Sequence, residues 1–467
     1  MVFKKILVGL DNSSFSGACS DAALALASAF GAEVAGCHVY AAGLHRRRFR
    51  QMEASLPEEY LGDAELRRQR AIHSKLIDLG LRLISESYLD SLAQRCAAVE
   101  VPFTKKTFDG RNWQRLVEEV NGSSYDLVVL GARGHGTTRE DAVGSVCLRL
   151  LRHTRTDCLV IKDAAAWADA EGPIVVALDG SQEAFGALRA AVALGKAFRR
   201  PVQAVAAYDP NFHYAVFRSM VQVLSQEAAK VFRYQEQEQL HERIIDGGLG
   251  RLYRTHLELA RRLGEVEGVD LKTVLLTGRA ADEVLTYVEQ SKPWLLLLGR
   301  IGVHSGAELD VGSVTEHVLR LAPCNLLVGS RRHSPPASLW GAEALRWTRE
   351  AETALERLSP EQRQPVRLLV HRLAQEEGHT VVTSSLLEGA LAELRPRPEE
   401  QGALEEAALA VAVESLRRQA GPVYLCQQCG LVARGTRPAT CPGCGQDGET
   451  FLALDGVLGQ LQPAGDG

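Results

Sequence analysis

Two sets of residues in this sequence are spaced for chemistry. The first lies near the C-terminal end: Cys426 and Cys429, then Gly430 and ten further residues, then Cys441-Pro-Gly-Cys444-Gly445. A C-x-x-C turn brings two thiolates to one ion, and two such turns close a tetrahedral site with no position left for water. Cys426, Cys429, Cys441 and Cys444 therefore read as ligands of one structural or electron-transferring metal ion. Soft thiolates suit zinc and iron alike, and the residues alone do not choose between them. The stretch after Pro422 is too short for a hydrophobic core of its own, so such an ion would largely define its fold.

The second set occurs twice. Gly131-Ala-Arg133-Gly134 is followed after nine residues by Gly144-Ser145-Val146, and Gly299-Arg-Ile-Gly302 is followed after nine by Gly312-Ser313-Val314. Glycines directly after an apolar strand would permit positive φ and a close approach to a ligand. Gly144-Ser145 and Gly312-Ser313 each open a helix, whose N–H groups, dipole and serine hydroxyl suit a phosphate. Asp11 and Asp179 end the first strand of each copy, where open α/β sheets bind ligands. No G-x4-G-K-[ST] is present, so binding is expected rather than turnover, at most a slow ATPase. His135 and His304 in the loops read as polar contacts.

The elements that must position these residues repeat as well. KKILVGLDNS returns as GPIVVALDGS, YDLVVLGARG as PWLLLLGRIG, and Arg152 as Arg320, each pair separated by 168 residues. A shared spacing over so long a stretch marks a tandem duplication. Each copy alternates apolar runs, such as Ile6 to Leu10 and Ile174 to Leu178, with helical stretches such as Ser16 to Phe30 and Glu183 to Phe198. Second strands are read at Glu33 to Val39 and Val202 to Ala207, and long helices at Leu61 to Ala98 and Val221 to Leu263. Strands at Leu127 to Leu130 and Leu295 to Leu298 lead into the glycine loops, and the last strands are Cys158 to Ile161 and Asn325 to Val328. Such alternation implies an α/β fold with parallel strands covered on both faces.

At these residues the chain resembles the universal stress protein family, whose signature G-x2-G-x9-G-[ST] is met in both copies. The resemblance covers domains at 1–163 and 172–331 and implies two tandem five-stranded parallel, doubly wound sandwiches. It implies ATP or a related adenine nucleotide as ligand, with Asp11 and Asp179 on base or ribose, Val39 and Ala207 beside the adenine, and the loops on the phosphates. It also implies pairing of the two repeats through their last strands, within one chain or in a homodimer. Copy two departs from copy one: Ile301 stands where copy one has Arg133, and Glu308 and Asp310 lie in its loop. Copy one carries Glu140 and Asp141 beside Arg139. A carboxylate near a triphosphate is repulsive unless a cation intervenes, so copy one is the better expected site.

Beyond a Ser-Pro-Pro linker at 334–338, Leu345 to Leu358, Pro365 to Glu377 and Leu386 to Leu394 read as amphipathic helices of a small domain at 340–396. Trp347, Ala351 and Leu355, with the run EEGHTVVTSSLLEGAL, resemble the small C-terminal domain of light-independent protochlorophyllide reductase subunits. That resemblance implies a packing or interaction module for an unknown protein partner. His371 and His379 read as surface or capping residues. The cysteine segment, 422–456, is similar to rubredoxin-like domains, with Tyr424 before the first knuckle and Phe451 beyond the second. Two function classes follow: a nucleotide-responsive stress regulator with a metal module, or a rubredoxin-like electron carrier or redox sensor gated by nucleotide.

Composition narrows the rest. The 467 residues carry a net charge of −5, with 46% hydrophobic and 24% charged residues. That leaves no basic field for nucleic acid, and HRRRFR at 45–50 reads as a solvated helix face. No apolar run reaches the ~20 residues of a membrane span, and MVFKKILVGLD has no signal core, so a cytoplasmic location is expected. Cys19, Cys37, Cys96, Cys147, Cys158 and Cys324 are scattered in apolar contexts and read as buried free thiols.

Overall fold

The computed structural model describes residues 3–134, 143–164, 167, 171–209, 246–303, 311–336, 339, 345–377, 379, 381–394, 422–428, 431–442 and 445–453. His135, Arg139, Glu140, Asp141, His304, Glu308, Asp310, Cys429, Gly430, Cys444 and the start of the helix expected from Val221 lie outside the described residues. The described chain forms two compact units, one made mostly of the two repeats and one mostly of the C-terminal third.

Copy one runs β1 (Lys5–Gly9), α1 (Ser14–Phe30), β2 (Glu33–Tyr40), α2 (Ala42–Met52), α3 (Asp63–Ala98), β3 (Phe103–Asp109), α4 (Asn112–Asn121), β4 (Leu127–Gly131), α5 (Ser145–His153) and β5 (Asp157–Ile161). Copy two runs β6 (Ile174–Ala177), α6 (Gln182–Phe198), β7 (Val202–Tyr208), α7 (Asp246–Val266), β8 (Leu271–Thr277), α8 (Ala280–Ser291), β9 (Leu295–Gly299), α9 (Ser313–Leu321) and β10 (Asn325–Gly329). The strands β3 and β8 carry no strong strand signal in the sequence. Their burial is only intermediate, with charged residues such as Lys105 and Lys272 exposed, because they are the outermost strands and lack a fully apolar run.

Instead of two separate sheets there is one ten-stranded sheet, ordered β3-β2-β1-β4-β5-β10-β9-β6-β7-β8. Strands within each half are parallel, and the halves join where β10 meets β5 antiparallel, with Leu327 opposite Leu159. The join buries strands that are apolar throughout, Asp157 and Asn325 at their starts excepted. Helices α4, α5, α8 and α9 contribute Leu116, Leu150, Val284 and Val318 to one apolar core that continues across both copies.

Those two polar residues are equivalent in the repeat and act alike. Asp157 Oδ1 accepts from Ser330 N–H (2.7 Å) and Arg331 N–H (3.3 Å), while Asn325 Oδ1 accepts from Lys162 N–H (3.0 Å) and Asp163 N–H (3.2 Å). Each copy thus holds the chain that leaves the other's last strand. Arg331 Nε completes the first end, 3.2 Å from Asp157 Oδ2. Burial still raises the Asp157 carboxyl above its ordinary range, opposed by Arg331 and the two amides.

Cations cap the helix ends across the same seam. Arg300, 1% exposed, donates to Leu151 O and Thr156 O (3.2 Å) and to Ser330 Oγ (2.7 Å). Lys162 Nζ donates to Leu319 O (2.9 Å) and Arg320 O (3.2 Å). Leu151 and Leu319 are repeat equivalents, so each helix C-terminus receives a positive charge from the other copy, where the dipole favours it.

In the second unit β11 (Arg346–Trp347) pairs with β12 (Val381–Val382), beside α10 (Arg349–Glu356), α11 (Pro360–Glu377) and α12 (Ser384–Leu394). Helix α11 begins five residues earlier than expected, because Pro360 supplies a favourable first position and Pro365 is accommodated inside the helix. Thr383 Oγ1 accepts from Leu386 N–H (3.3 Å) at the start of α12. His371 is half-buried rather than at the surface, and burial pushes its pKa down; His379 is exposed. The cysteine segment forms β13 (Val423–Cys426), β14 (Val432–Arg434) and β15 (Phe451–Ala453), ordered β14-β13-β15. Leu425 of β13 is buried in the same cluster as Ala351, Leu355, Leu369 and Leu387. Helices and cysteine segment therefore share a core.

The seam sets a first expectation. Asp157→Ala leaves two part-buried amides without their acceptor and removes one of the two carboxylates paired with Arg331, a loss of about 1–3 kcal/mol. Asp157→Asn, which installs the residue found at the equivalent position, keeps the acceptor and should cost clearly less in urea unfolding. Equal loss for the two variants would count against this account.

Candidate functional site

Each copy opens a cleft where its strand order reverses, between β1 and β4 in copy one and between β6 and β9 in copy two, the switch point at which such sheets bind ligands. The copy-one cleft, about 420 Å³, is lined by Asp11, Val39, Gly131, Arg133, Gly134, Gly144, Ser145 and Val146. The copy-two cleft, about 320 Å³, is lined by Asp179, Ala207, Gly299, Gly302, Gly312, Ser313 and Val314. All fifteen candidate nucleotide-site residues thus fall into two clefts.

The signature glycines have a different reason from the one expected. None of the six has positive φ. Four of them are small because something lies against them. A Cβ on Gly131 would sit 2.7 Å from Phe15 Cβ, and one on Gly299 would sit 2.7 Å from Ala184 N, so the first glycine lets β4 or β9 close onto the following layer. A Cβ on Gly302 would come 2.6 Å from Asp179 Oδ2, and one on Gly134 would strike Asp11 Oδ2. The second glycine makes room for the strand-end carboxylate.

Asp11 is held from below: its Oδ1 accepts from Ser13 N–H (3.0 Å) and Ser16 Oγ (3.2 Å). Asp179 Oδ1 accepts likewise from Ser181 N–H (3.0 Å) and Oγ (2.6 Å), while its Oδ2 accepts from Val303 N–H (2.9 Å). At the cleft floor, Gly144 N–H donates to Ala132 O (2.7 Å) and Gly312 N–H to Arg300 O (2.8 Å). These two amides are therefore spent inside the loops and do not face a phosphate, contrary to expectation. The first helical bond of α5 is Leu148 N–H to Gly144 O, so the amides of Ser145, Val146 and Cys147 precede it, at the positive end of the helix. Ser145 and Ser313 are exposed. Arg133 stacks over Phe15, its guanidinium carbon 5.1 Å from the ring centre.

Several lining residues were not foreseen. His38 and Asn112 line copy one, and Tyr253, Ala280 and Val303 line copy two. His38 adjoins Val39, so the alternation of β2 could have flagged it, whereas Tyr253 reaches the cleft from α7 and carries no local signal. Ser85 Oγ donates to Leu81 O (2.7 Å), which assigns His38 Nδ1, 2.8 Å from that oxygen, as the donor. Burial holds the His38 pKa below its ordinary value, with Asp11 opposing. The buried thiols are poor nucleophiles: Cys37 and Cys158 are pushed up to about 12 and Cys324 to about 11, chiefly by burial.

In the cysteine segment Cys426 and Cys441 are buried in one cluster with Phe451. Cys426 N–H donates to Leu431 O (2.8 Å) and Cys441 N–H to Gln446 O (2.7 Å), the same five-residue span in each knuckle. Gly445, at φ +71°, closes the second. Among the described residues no group of three or more His, Cys, Asp or Glu is gathered for a metal.

The model of the universal stress protein family matches residues 2–162 and again 172–329. The two matches span more than half of the chain, and the chain belongs to the universal stress protein family. A universal stress protein of Methanocaldococcus jannaschii is 32% identical over 72 residues, covering 15% of this chain and 42% of that protein. The chain is also similar to a universal stress protein structure from Archaeoglobus fulgidus, at 16% identity over 70% of this chain and 97% of that one, with a TM-score of 0.44. A universal stress protein solved in complex with cAMP is 20% identical over 34% of this chain and 98% of its own, with a TM-score of 0.23. No helix among the described residues is long and apolar enough to cross a membrane.

The depressed His38 pKa has a sign that can be checked. Neutral His38 fits the fold, so its contribution is fully present above the ordinary value of 6.5 and falls as pH drops through 6.5 toward the lower folded value. His38→Gln should flatten the fall in stability between about pH 7 and pH 5, measured by urea unfolding at each pH. An unchanged slope would remove His38 as its source.

Proposed function

We propose that this chain is a nucleotide-responsive stress regulator whose copy-one cleft binds ATP or a related adenine nucleotide. One observation carries the reading: a single cleft brings together the strand-end Asp11, the cation Arg133 and the exposed start of α5 at Ser145. A carboxylate beside Val39 suits the hydroxyls of a ribose, and the opposite end offers a guanidinium and three helix amides to phosphate. The sequence carries no G-x4-G-K-[ST] loop, so the proposal is binding and release rather than turnover.

The four-cysteine segment is the second part of the proposal. The described half of the set fits a tetrathiolate site: two buried cysteines in one cluster, each at the head of an equivalent turn. Cys426, Cys429, Cys441 and Cys444 would hold one zinc or iron ion, which would supply fold stability, or electron transfer if it is iron. Because Leu425 is shared with the helical core, losing the ion should loosen the C-terminal unit as a whole.

Both parts are testable. Titration calorimetry of the nucleotide-stripped protein should show one ATP site. Asp11→Ala should weaken it about tenfold or more, the loss of one or two hydrogen bonds to a ribose, and Gly134→Val should abolish it. No heat with ATP for the intact protein would defeat the nucleotide reading. Metal analysis should give one equivalent per chain, red with iron and colourless with zinc, and Cys441→Ser should remove it while ATP binding survives. Metal well below one equivalent in protein purified without chelator would defeat the metal reading.

A further inference from the structure

The two clefts share a frame and differ in what lines it. Three nitrogen-bearing side chains at copy one have lost their counterparts in copy two: Arg133 becomes Ile301, Asn112 becomes Ala280, and His38 becomes Ala206. The one arginine in the copy-two loop, Arg300, faces the seam and donates to copy-one carbonyls. Asp179 is the only charged residue among the described residues lining the cleft. Among the described residues a phosphate entering there meets a carboxylate and no cation, and charges of like sign repel most where apolar walls exclude water.

The ring-binding half is retained. Ala207, Val205 and Leu298 form apolar walls, Tyr253 closes one side, and Tyr253 stacks on Tyr208 at 6.2 Å and 25°. Asp179 is kept, fixed on Oδ1 by Ser181, and the exposed Ser313 hydroxyl stays at the rim. A cavity of about 320 Å³ with these walls has room for a nucleoside-sized molecule.

We infer that the copy-two cleft is a site for an uncharged, ring-bearing ligand of the nucleoside class, adenosine rather than its phosphates. The inference rests on the reading of copy one as a nucleotide site. The chain would then compare a charged nucleotide in one cleft with its dephosphorylated form in the other.

Calorimetry on the full-length, ligand-stripped chain tests this with adenosine and ATP as probes. Two equivalents of adenosine and one of ATP are expected. Asp179→Ala should remove one adenosine equivalent and leave the ATP equivalent intact, whereas Gly134→Val should remove ATP and leave one adenosine. Ile301→Arg should create a second ATP equivalent, at least tenfold tighter than any ATP binding by the copy-two cleft of the wild type. Should that variant misfold, Ala280→Asn tests the same direction at the start of α8. A second ATP equivalent in the wild type that Asp179→Ala removes would overturn the inference. So would adenosine binding confined to the equivalent lost in Gly134→Val. Absence of both ATP and adenosine binding would overturn the copy-one reading along with it.

Discussion

Everything in the larger unit depends on the antiparallel meeting of β5 and β10. Each is the last strand of its copy, apolar on both faces beyond its first residue, and would expose a row of unpaired amides and carbonyls if it stood at an edge. Pairing them removes both edges at once and lets the core run from α4 and α5 into α8 and α9 without interruption. Asp157 and Asn325 make the seam specific, because each accepts the two amides that follow the other copy's last strand. A register shift would leave both acceptors and four amides unmatched, and buried unmatched polar groups are costly.

The seam also sets the clefts. Helices α5 and α9 each present their N-termini to a cleft and their C-termini to the other copy, where Arg300 and Lys162 cap equivalent carbonyls. The two cations come from different positions of the repeat: Arg300 lies inside the glycine loop of copy two, Lys162 after the last strand of copy one. Copy two thus committed its loop arginine to holding the halves together. Copy one placed its arginine one residue later, at Arg133, where it lines the cleft. The same backbone signature supports one cleft lined by an arginine and one whose described lining has no cation.

The C-terminal unit solves a different problem. Its strands are two to four residues long, too short to bury much by themselves. Leu425 joins the helical cluster while its neighbour Cys426 turns to Cys441 and Phe451. Alternation along one short strand therefore divides its side chains between an apolar core and the Cys426–Cys441–Phe451 cluster.

By itself the sequence determined what is local or periodic. The repeat spacing, the apolar strands ending in Asp11 and Asp179, and the glycine signature announced two α/β copies and the residues that line their clefts. The spacing of the four cysteines marked them as candidate ligands. Tertiary structure decided what depends on packing between distant segments. It joined the copies into one sheet through β5 and β10, sent Arg300 to the seam rather than the cleft, and brought Tyr253 from α7 to the copy-two wall. It also gave the signature glycines their reason, which is the nearness of a carboxylate and a helix start rather than a left-handed backbone. A glycine records that space is short or φ unusual, and only the assembled neighbours show which.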